Sequence, residues 1–385
     1  MKRFFTLLLA LAILIPLCVA AETASPDPAT EPSPLDQKIA KIFKDGKTLG
    51  GEVVVAKDGK IVYQYVYGYS SNKRDVAVTP DHYYRLASVS KLISAVVTMR
   101  LVETGQLDLD ENIGTILGGD EPFFAGNPKY PDVGFTTRMI MTHTSTIWDT
   151  HFPTQRPLRV ALDIEKTWRG FFYTEKPGAA YHYSDYAVGF LGCIWEAITG
   201  KRLSTVASEL IFDPMELDAA YAPSLLKDPE KVTSRFSRPY AEEIDIDEDY
   251  YLTYGGCWMK GSDLCKIGMM LADYGMFNGK RILQEDTVRE MLSSQTGKGN
   301  IVTSKSPYGL NVARISYPEL TSDREHLIYG HQGRINSVLC NLYFDPETRF
   351  VFAFVTNECS PGGKTHGIRR PASTMLELLW KEFNQ

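Results

Sequence analysis

The sequence predicts an α+β fold in which both ends of the chain build one antiparallel sheet and a helical region is inserted between them. Two runs rich in Val, Ile and Tyr, residues 51–57 and 60–68, lie near the start of the folded region. Two further strand-like runs, 335–344 and 350–356, lie near the C-terminus. The chain between them carries long apolar runs at helical spacing. This order is typical of a sheet with helices segregated from it.

Local signals predict the outer elements. A first helix has its apolar residues on one face, at Leu35, Ile39, Ile42 and Phe43, and Gly46 follows where it would end. An Asp-Gly pair joins the first two strand-like runs, which indicates a hairpin with a tight turn. A last helix follows the second hairpin, with apolar residues at Met375, Leu376, Leu379 and Phe383.

Residues 1–21 have the pattern of an export signal. Lys2 and Arg3 precede a long apolar run that ends in small residues before Glu22. A membrane anchor is the alternative, because the run approaches the roughly 18 residues that can span a bilayer. We expect an exported protein, periplasmic or extracellular, without stable membrane insertion once the signal is cleaved.

A lipid-anchored form would need a small residue before Cys18, where Leu17 stands. Residues 22–34 are polar and Pro-rich, which is typical of a linker. This assignment leaves residues 35–385 as the folded region. Its length is compatible with one large domain or with two.

The charge of the chain argues against a nucleic-acid partner. Removing Lys2 and Arg3 from the 41 basic residues leaves 39, against 47 acidic residues, and no block of like charge is present. A small molecule or a peptide is the expected substrate. The sequence leaves the oligomeric state open.

Five cysteines follow the signal, so at least one of them must be unpaired. A hairpin turning at residues 345–349 would place Cys340 opposite about Phe354, so we expect no bond between Cys340 and Cys359. The sequence has no Cys-x-x-Cys motif, and its seven histidines are scattered. We therefore expect no metal site and no cofactor.

The motif Ser-x-x-Lys occurs three times, as Ser70/Lys73, Ser88/Lys91 and Ser224/Lys227. The first and third lie in segments that resemble loops. Ser88 opens a run that is apolar nearly all round until Gly105, which indicates a buried helix. Context therefore favours Ser88 as the reactive serine.

This spacing suits nucleophilic catalysis. Residues three apart share a helix face, so the Lys91 amine can reach the Ser88 hydroxyl. Burial lowers the pKa of a lysine toward the range of a useful base, and a helix N-terminus favours a developing oxyanion. The alternative is that Ser88 only caps the helix and Lys91 is solvated.

Further short motifs lie before and after Ser88 along the chain. They are Tyr84-Arg85-Leu86-Ala87, Thr142-His143-Thr144-Ser145, Pro177-Gly178, Tyr183-Ser184-Asp185, Gly255-Gly256 and Gly330-His331-Gln332-Gly333. Together with Ser88-Val89-Ser90-Lys91, the set resembles the β-lactamase-related serine hydrolases, which include class C β-lactamases, D-alanyl-D-alanine carboxypeptidases and some esterases. The resemblance spans residues 35–385. It implies a β-lactamase/transpeptidase-like fold with the active site between the sheet and the helical region.

The resemblance also implies roles for individual residues. Tyr183 matches the tyrosine that relays a proton between the nucleophile and the leaving group; a packed core tyrosine is the alternative. His331-Gln332-Gly333 takes the place of the family's Lys-Thr-Gly or His-x-Gly, and His331 would shape the local charge, unless it is only a satisfied strand histidine. Gly333 would let the substrate backbone approach, and the N–H groups of Ser88 and Arg334 would form the oxyanion hole.

Two positions depart from the family pattern. Asp185 stands where Asn is usual, so we expect its carboxylate to approach Lys91 and raise the pKa of the amine. Thr146 stands where Gly is frequent, which puts the local loop in doubt. His143 belongs to a recurring motif, and we interpret it as structural.

The resulting hypothesis is a hydrolase that acts through a covalent Ser88 acyl-enzyme on an amide, a peptide or an ester. Substrates containing D-amino acids fit the expected export. A β-lactamase is one alternative, although the replacement of Lys by His331 and of Asn by Asp185 predicts weak activity on β-lactams. A catalytically inactive binding or sensor protein that keeps the fold is another.

Overall fold

The computed structural model describes residues 32–118, 126–149, 172–234, 252–295 and 308–384. The predicted signal, residues 1–21, and residues 22–31 of the predicted linker lie outside this part of the chain. Within it, Ser33 caps the first helix, which begins at Pro34, one residue before the predicted start of the domain.

A six-stranded antiparallel sheet forms the centre of the molecule. Its strands in chain order are β1 (Gly50–Lys57), β2 (Lys60–Gly68), β3 (Ala313–Ser316), β4 (Leu327–Ile335), β5 (Val338–Asp345) and β6 (Phe350–Thr356). In space they lie in the order β2-β1-β6-β5-β4-β3, so that the first strand pairs with the last. The prediction that both ends of the chain build one antiparallel sheet is confirmed.

Six longer helices accompany the sheet: α1 (Pro34–Asp45), α2 (Ser90–Glu103), α3 (Asp185–Thr199), α4 (Gly261–Ala272), α5 (Glu285–Leu292) and α6 (Ala372–Phe383). Shorter α-helices span Ile113–Leu117, Thr137–Met141, Leu203–Ala207 and Pro318–Thr321. In the described ranges, no helix combines the length and the apolar character needed to cross a membrane.

Short ladders and turns complete the architecture. A three-stranded ladder joins Tyr84–Arg85, Trp258–Met259 and Ala219–Ala220, and two-stranded ladders join Met276–Phe277 to Lys280–Arg281 and Lys364–Thr365 to Ile368–Arg369. Single 3₁₀ or π turns span Ala87–Val89, Ser208–Phe212, Pro223–Leu225, Pro229–Lys231 and Leu252–Gly256.

Both faces of the sheet are covered, which explains why the central strand β6 is apolar without interruption from Phe350 to Val355. Successive side chains of a strand point to opposite faces. Val54 of β1 packs in the large cluster that includes residues of α2 and α4, whereas Val53 packs in the second cluster with α1 and α6. The same alternation separates Val351 from Phe352 on β6.

The C-terminal hairpin differs from its prediction at both ends of its first strand. Ile335 belongs to β4, the chain turns at Asn336 with a φ of 53°, and the next strand begins at Val338. At the other end, Asp345 still belongs to β5 and pairs with Phe350, so Cys340 faces Val355 of β6, one residue from the predicted Phe354. All five cysteines after the signal are free thiols in the structure.

A buried carboxyl group joins the sheet to a helix. Glu52 of β1 is fully buried, and its two oxygens accept hydrogen bonds from Gln64 Nε2 at 2.6 Å and from the N–H of Gly261 at 3.1 Å. Gly261 begins α4, and a Cβ there would lie 2.5 Å from the carboxyl group. Burial raises the pKa of Glu52 from 4.5 to about 8.

The raised pKa of Glu52 predicts a pH-dependent stability. In the unfolded chain Glu52 ionises near pH 4.5, so between that pH and about 8 unfolding releases a proton. The free energy of unfolding should therefore fall as the pH rises through this window and level off above it. Each pKa unit corresponds to about 1.4 kcal/mol, so the total reaches several kcal/mol.

Glu52→Gln should remove this fall, because the amide does not ionise. Urea unfolding at about pH 5 and about pH 8 measures the difference, with the exposed Glu230→Gln as control. Equal pH dependence in wild type and Glu52→Gln would contradict the assignment.

Candidate active site

Ser88 lies in a short 3₁₀ turn, Ala87–Val89, directly before α2. The α-helix therefore begins at Ser90, two residues after Ser88, and the 3₁₀ turn leads directly into it. Ala87 has a φ of 48°, a left-handed conformation that is unfavourable for a residue with a Cβ. The turn is anchored by the Leu86 N–H, which donates to the Cys257 carbonyl at 2.9 Å. This backbone presents a half-buried Ser88 at the start of a helix whose residues are nearly all buried.

Lys91 is fully buried and its amine contacts three groups. Nζ lies 3.1 Å from Ser88 Oγ, 3.0 Å from the Tyr254 carbonyl oxygen and 2.5 Å from Asp185 Oδ1. The alternative of a solvated Lys91 is therefore wrong.

The charge of Lys91 is retained in spite of its burial. Burial is the largest single effect and lowers the pKa of Lys91, but Tyr183 and Asp185 together outweigh it, so that the pKa is raised above its usual value. The expectation that burial makes Lys91 a readily available base is wrong for this site. The neighbouring Tyr183 and the predicted approach of the Asp185 carboxylate together supply the reason.

Tyr183 and Asp185 flank Ser184, the N-cap residue of α3. The Lys91 amine lies 5.1 Å from the centroid of the Tyr183 ring, and Tyr183 is 40 % exposed. That exposure excludes a packed core tyrosine. Desolvation raises the pKa of the Tyr183 phenol. The neighbouring Lys91 charge opposes this shift but does not cancel it, so the pKa stays above its usual value.

His331 lies on β4 and is almost completely buried. Its Nε2 is 3.1 Å from the Tyr308 hydroxyl, and its Nδ1 is 2.9 Å from the Gln332 carbonyl oxygen. Burial, reinforced by the Lys91 charge, lowers the pKa of His331 to about 3. With this lowered pKa the imidazole is neutral at physiological pH and adds no positive charge to the site, and both of its ring nitrogens have hydrogen-bond partners.

Gly333 is pressed against the turn that carries Ser88. A Cβ at this position would lie 2.3 Å from the Leu86 carbonyl oxygen and 3.0 Å from the backbone nitrogen of Ser88. The glycine therefore lets β4 approach the Ser88 turn. This reason differs from the predicted one, in which the glycine admits the substrate backbone.

Arg334 can contribute to the site only through its backbone. Side chains alternate along β4, so Arg334 points to the face opposite Gly333, where its charge opposes the burial that raises the pKa of Cys359. Leu339 pairs with Arg334, but the Leu339 N–H donates to Thr356 Oγ1 at 3.1 Å, away from β4. The two residues thus form a non-hydrogen-bonded pair, in which the Arg334 N–H points away from β5.

The Arg334 N–H points to the edge of β4 that is opposite β5. The neighbouring strand β3 pairs only with residues 327–330 of β4, so it does not reach Arg334. The Ser88 nitrogen lies beside Gly333, the adjacent residue. The Ser88 turn and the part of β4 that carries Arg334 therefore lie side by side.

His143 is a buried supporting residue, as expected. Its Nδ1 accepts a hydrogen bond from the Ser184 N–H at 3.2 Å, and its ring centroid lies 4.3 Å from that of Tyr183. Thr146 adopts a φ of 67°, the conformation in which glycine would be relaxed, and Asn127 Nδ2 donates to its hydroxyl at 3.0 Å. Asn127 thus holds the side chain that stands where glycine is frequent.

Two residues that contact the site machinery were not predicted from the sequence. Tyr254 supplies the carbonyl that accepts from Lys91, and its ring centroid is 5.2 Å from that amine. Asp149 accepts hydrogen bonds from the residues at the start of α3. Tyr254 directly precedes the Gly255-Gly256 motif, which is the one local signal for it. Within the described segments, no group of three or more His, Cys, Asp or Glu side chains is placed to hold a metal ion.

The chain is similar to curated proteins over about half of its length. Esterase EstB of Burkholderia gladioli is 27 % identical over 229 residues, which cover 56 % of each chain. An N-acetylmuramyl-L-alanine amidase of Bacillus subtilis (strain 168) is 27 % identical over 203 residues, covering 48 % of this chain and 44 % of the amidase. The chain thus spans about half the length of these curated relatives.

Solved structures show the same fold. The octameric penicillin-binding protein homologue from Pyrococcus abyssi has a TM-score of 0.70 at 19 % identity, over 90 % of this chain and 75 % of that one. The model of the Beta-lactamase family matches residues 35–371, which is most of the sequence. The chain belongs to the Beta-lactamase family.

Proposed function

We propose that this protein is a serine hydrolase that forms a covalent acyl-enzyme on Ser88 and releases it by attack of water. The observation that carries the proposal is the 3.1 Å contact between Ser88 Oγ and the fully buried amine of Lys91. Among the three Ser-x-x-Lys motifs, this one has its lysine inside the protein. Membership of the family, an esterase relative and an amidase relative support hydrolysis.

Lys91, Tyr183 and Asp185 would manage the protons. Ser88 Oγ attacks the substrate carbonyl and gives its proton to the Lys91–Tyr183 pair, and Tyr183, at the exposed end of that pair, passes it to the leaving group. Because Asp185 holds a proton on Lys91 at rest, the form that accepts a proton is a minor one at neutral pH. Activity should consequently rise with pH.

The backbone N–H groups of Ser88 and Arg334 would stabilise the tetrahedral oxyanion. Both belong to segments that Gly333 brings into contact, so the hole depends on the close approach of β4 to the Ser88 turn. His331, which is neutral, contributes no cation to the site.

An ester or an amide is the proposed substrate, and peptides that contain D-amino acids fit the proposed export of the chain. The exported location rests on the signal pattern of residues 1–21. β-Lactam hydrolysis should be weak, because the site has the neutral His331 and the carboxylate of Asp185 where a cation and an amide would serve a β-lactam.

Ser88→Ala should abolish labelling by a fluorophosphonate probe, since it removes the nucleophile. Ser70→Ala and Ser224→Ala serve as matched controls from the other two motifs, and both should label at the wild-type rate. Mass spectrometry of the labelled peptide locates the adduct. An adduct on another serine, or no adduct on the folded wild type, would overturn the proposed function and favour a binding or sensor protein.

Asp185→Asn should move the acidic limb of the kcat/KM profile to lower pH. The amide keeps the shape of the side chain but removes one of the effects that raise the pKa of Lys91, so that this pKa falls. Kinetics with a p-nitrophenyl ester across the pH range measure the limb. A limb that stays in place or moves up would show that Asp185 does not control Lys91.

Gly333→Ala should reduce kcat/KM with the same ester by roughly 100-fold, the loss typical of removing an oxyanion donor. The added methyl group meets the Leu86 carbonyl oxygen and pushes the Ser88 turn away from β4. Gly363→Ala is the control, because nothing lies within 4 Å of its new Cβ. Wild-type activity in folded Gly333→Ala would mean that the oxyanion hole does not depend on this close approach.

A further inference from the structure

Asp149 forms three hydrogen bonds with the segment that carries Tyr183 and Asp185. Its Oδ1 accepts from Ser184 Oγ at 2.6 Å and from the Tyr186 N–H at 3.0 Å, and its Oδ2 accepts from the Asp185 N–H at 2.7 Å. Asp149 itself lies outside α3, at the end of the segment that follows His143. One carboxylate from a distant part of the sequence thus holds the first residues of the helix.

These bonds satisfy donors that the helix cannot satisfy by itself. The first N–H groups of an α-helix have no partner within the helix. The Ser184 hydroxyl accepts from the Ala187 N–H at 3.0 Å, as an N-cap residue does. Asp149 accepts from the two N–H groups before it and also receives the proton of the capping hydroxyl.

The arrangement brings two carboxylates together at a cost. Asp149 is largely buried, and both burial and the nearby Asp185 charge raise its pKa. Two like charges would separate unless other contacts held them. The N–H groups and the positive end of the helix dipole offset the repulsion at Asp149. On the other side, the Lys91 ammonium binds Asp185 at 2.5 Å.

We propose that Asp149 is a positioning residue that fixes the backbone of residues 183–185 so that Asp185 and Tyr183 meet Lys91. This inference rests on the proposed function of the same site. Asp149 does not touch Ser88 or Lys91 and acts through the Tyr183–Asp185 segment. Without the three hydrogen bonds to Asp149, the start of α3 loses the contact that orients the side chains of Tyr183 and Asp185.

The inference is tested by Asp149→Asn, Asp185→Asn and the double variant, with the pH profile of p-nitrophenyl ester hydrolysis as readout. The groups that face the Lys91 amine are Asp185 and Tyr183 from the start of α3, His143 from the preceding loop, His331 from β4 and the Tyr254 carbonyl. Asp149→Asn replaces one of the two acceptor oxygens by an NH₂ group, so the start of α3 is no longer fully held. The Asp185 side chain should then move away from Lys91. The acidic limb should move to lower pH, as in Asp185→Asn, and kcat should fall roughly 10- to 100-fold.

The double variant separates positioning from a direct effect of charge. If Asp149 acts through Asp185, the limb of the double variant should coincide with that of Asp185→Asn. An additional downward shift would mean that the Asp149 charge acts on Lys91 by itself, and an unmoved limb in Asp149→Asn would mean that its role is only structural. Either result overturns the inference.

Two controls make the outcome unambiguous. Ser33→Ala removes the cap of α1, far from the site, and should leave the limb in place. If Asp149→Asn does not fold, Ser184→Ala removes only the hydroxyl bound by Asp149 and must shift the limb in the same direction; no shift rejects the inference. Turnover that survives Ser88→Ala would reject the proposed function instead.

Discussion

The positive charge of Lys91 inside the protein is the constraint on which the site depends. A buried charge is strongly unfavourable unless it is paired and hydrogen-bonded. The structure meets this requirement with a carboxylate from the start of α3, a carbonyl from the turn at residues 252–256 and the Ser88 hydroxyl. Three segments that are far apart in sequence must therefore converge on one atom. The position of the nucleophile follows from that convergence.

The sheet supplies the fourth side of the site. Because β4 lies against the Ser88 turn at Gly333, the turn rests on the rigid centre of the molecule. The strand is itself held through β5 and β6 to the first strand of the chain. Packing on both faces of the sheet fixes β4, and the left-handed Ala87 is maintained by its surroundings. Catalytic geometry in this protein is thus a consequence of strand pairing between the two ends of the chain.

Local patterns in the sequence were sufficient to predict the hairpins, the apolar faces of the first and last helices, and Ser88 with Lys91, since each depends on residues close together in the chain. The resemblance to a family added Tyr183 and Asp185. Long-range geometry was not predictable in the same way. The protonation of His331 depends on its burial and on the Lys91 charge, the need for glycine at 333 depends on Leu86, and Asp149 depends on a helix that begins 36 residues later. An error of one residue at the 345–349 turn, where Asp345 and not Phe344 pairs with Phe350, was enough to misplace the partner of Cys340.

The proton on Lys91 tests the central claim most directly. Lysine labelled with ¹³C at Cε allows the amine to be titrated by NMR, and comparison with Lys91→Arg assigns its signal. The ion pair with Asp185 predicts that Lys91 remains protonated up to and beyond the ordinary pKa of 10.5, for as long as the protein stays folded. A titration of this signal near neutral pH would show that burial dominates over the Asp185 charge, and it would contradict the claim that a charged, paired Lys91 organises the site.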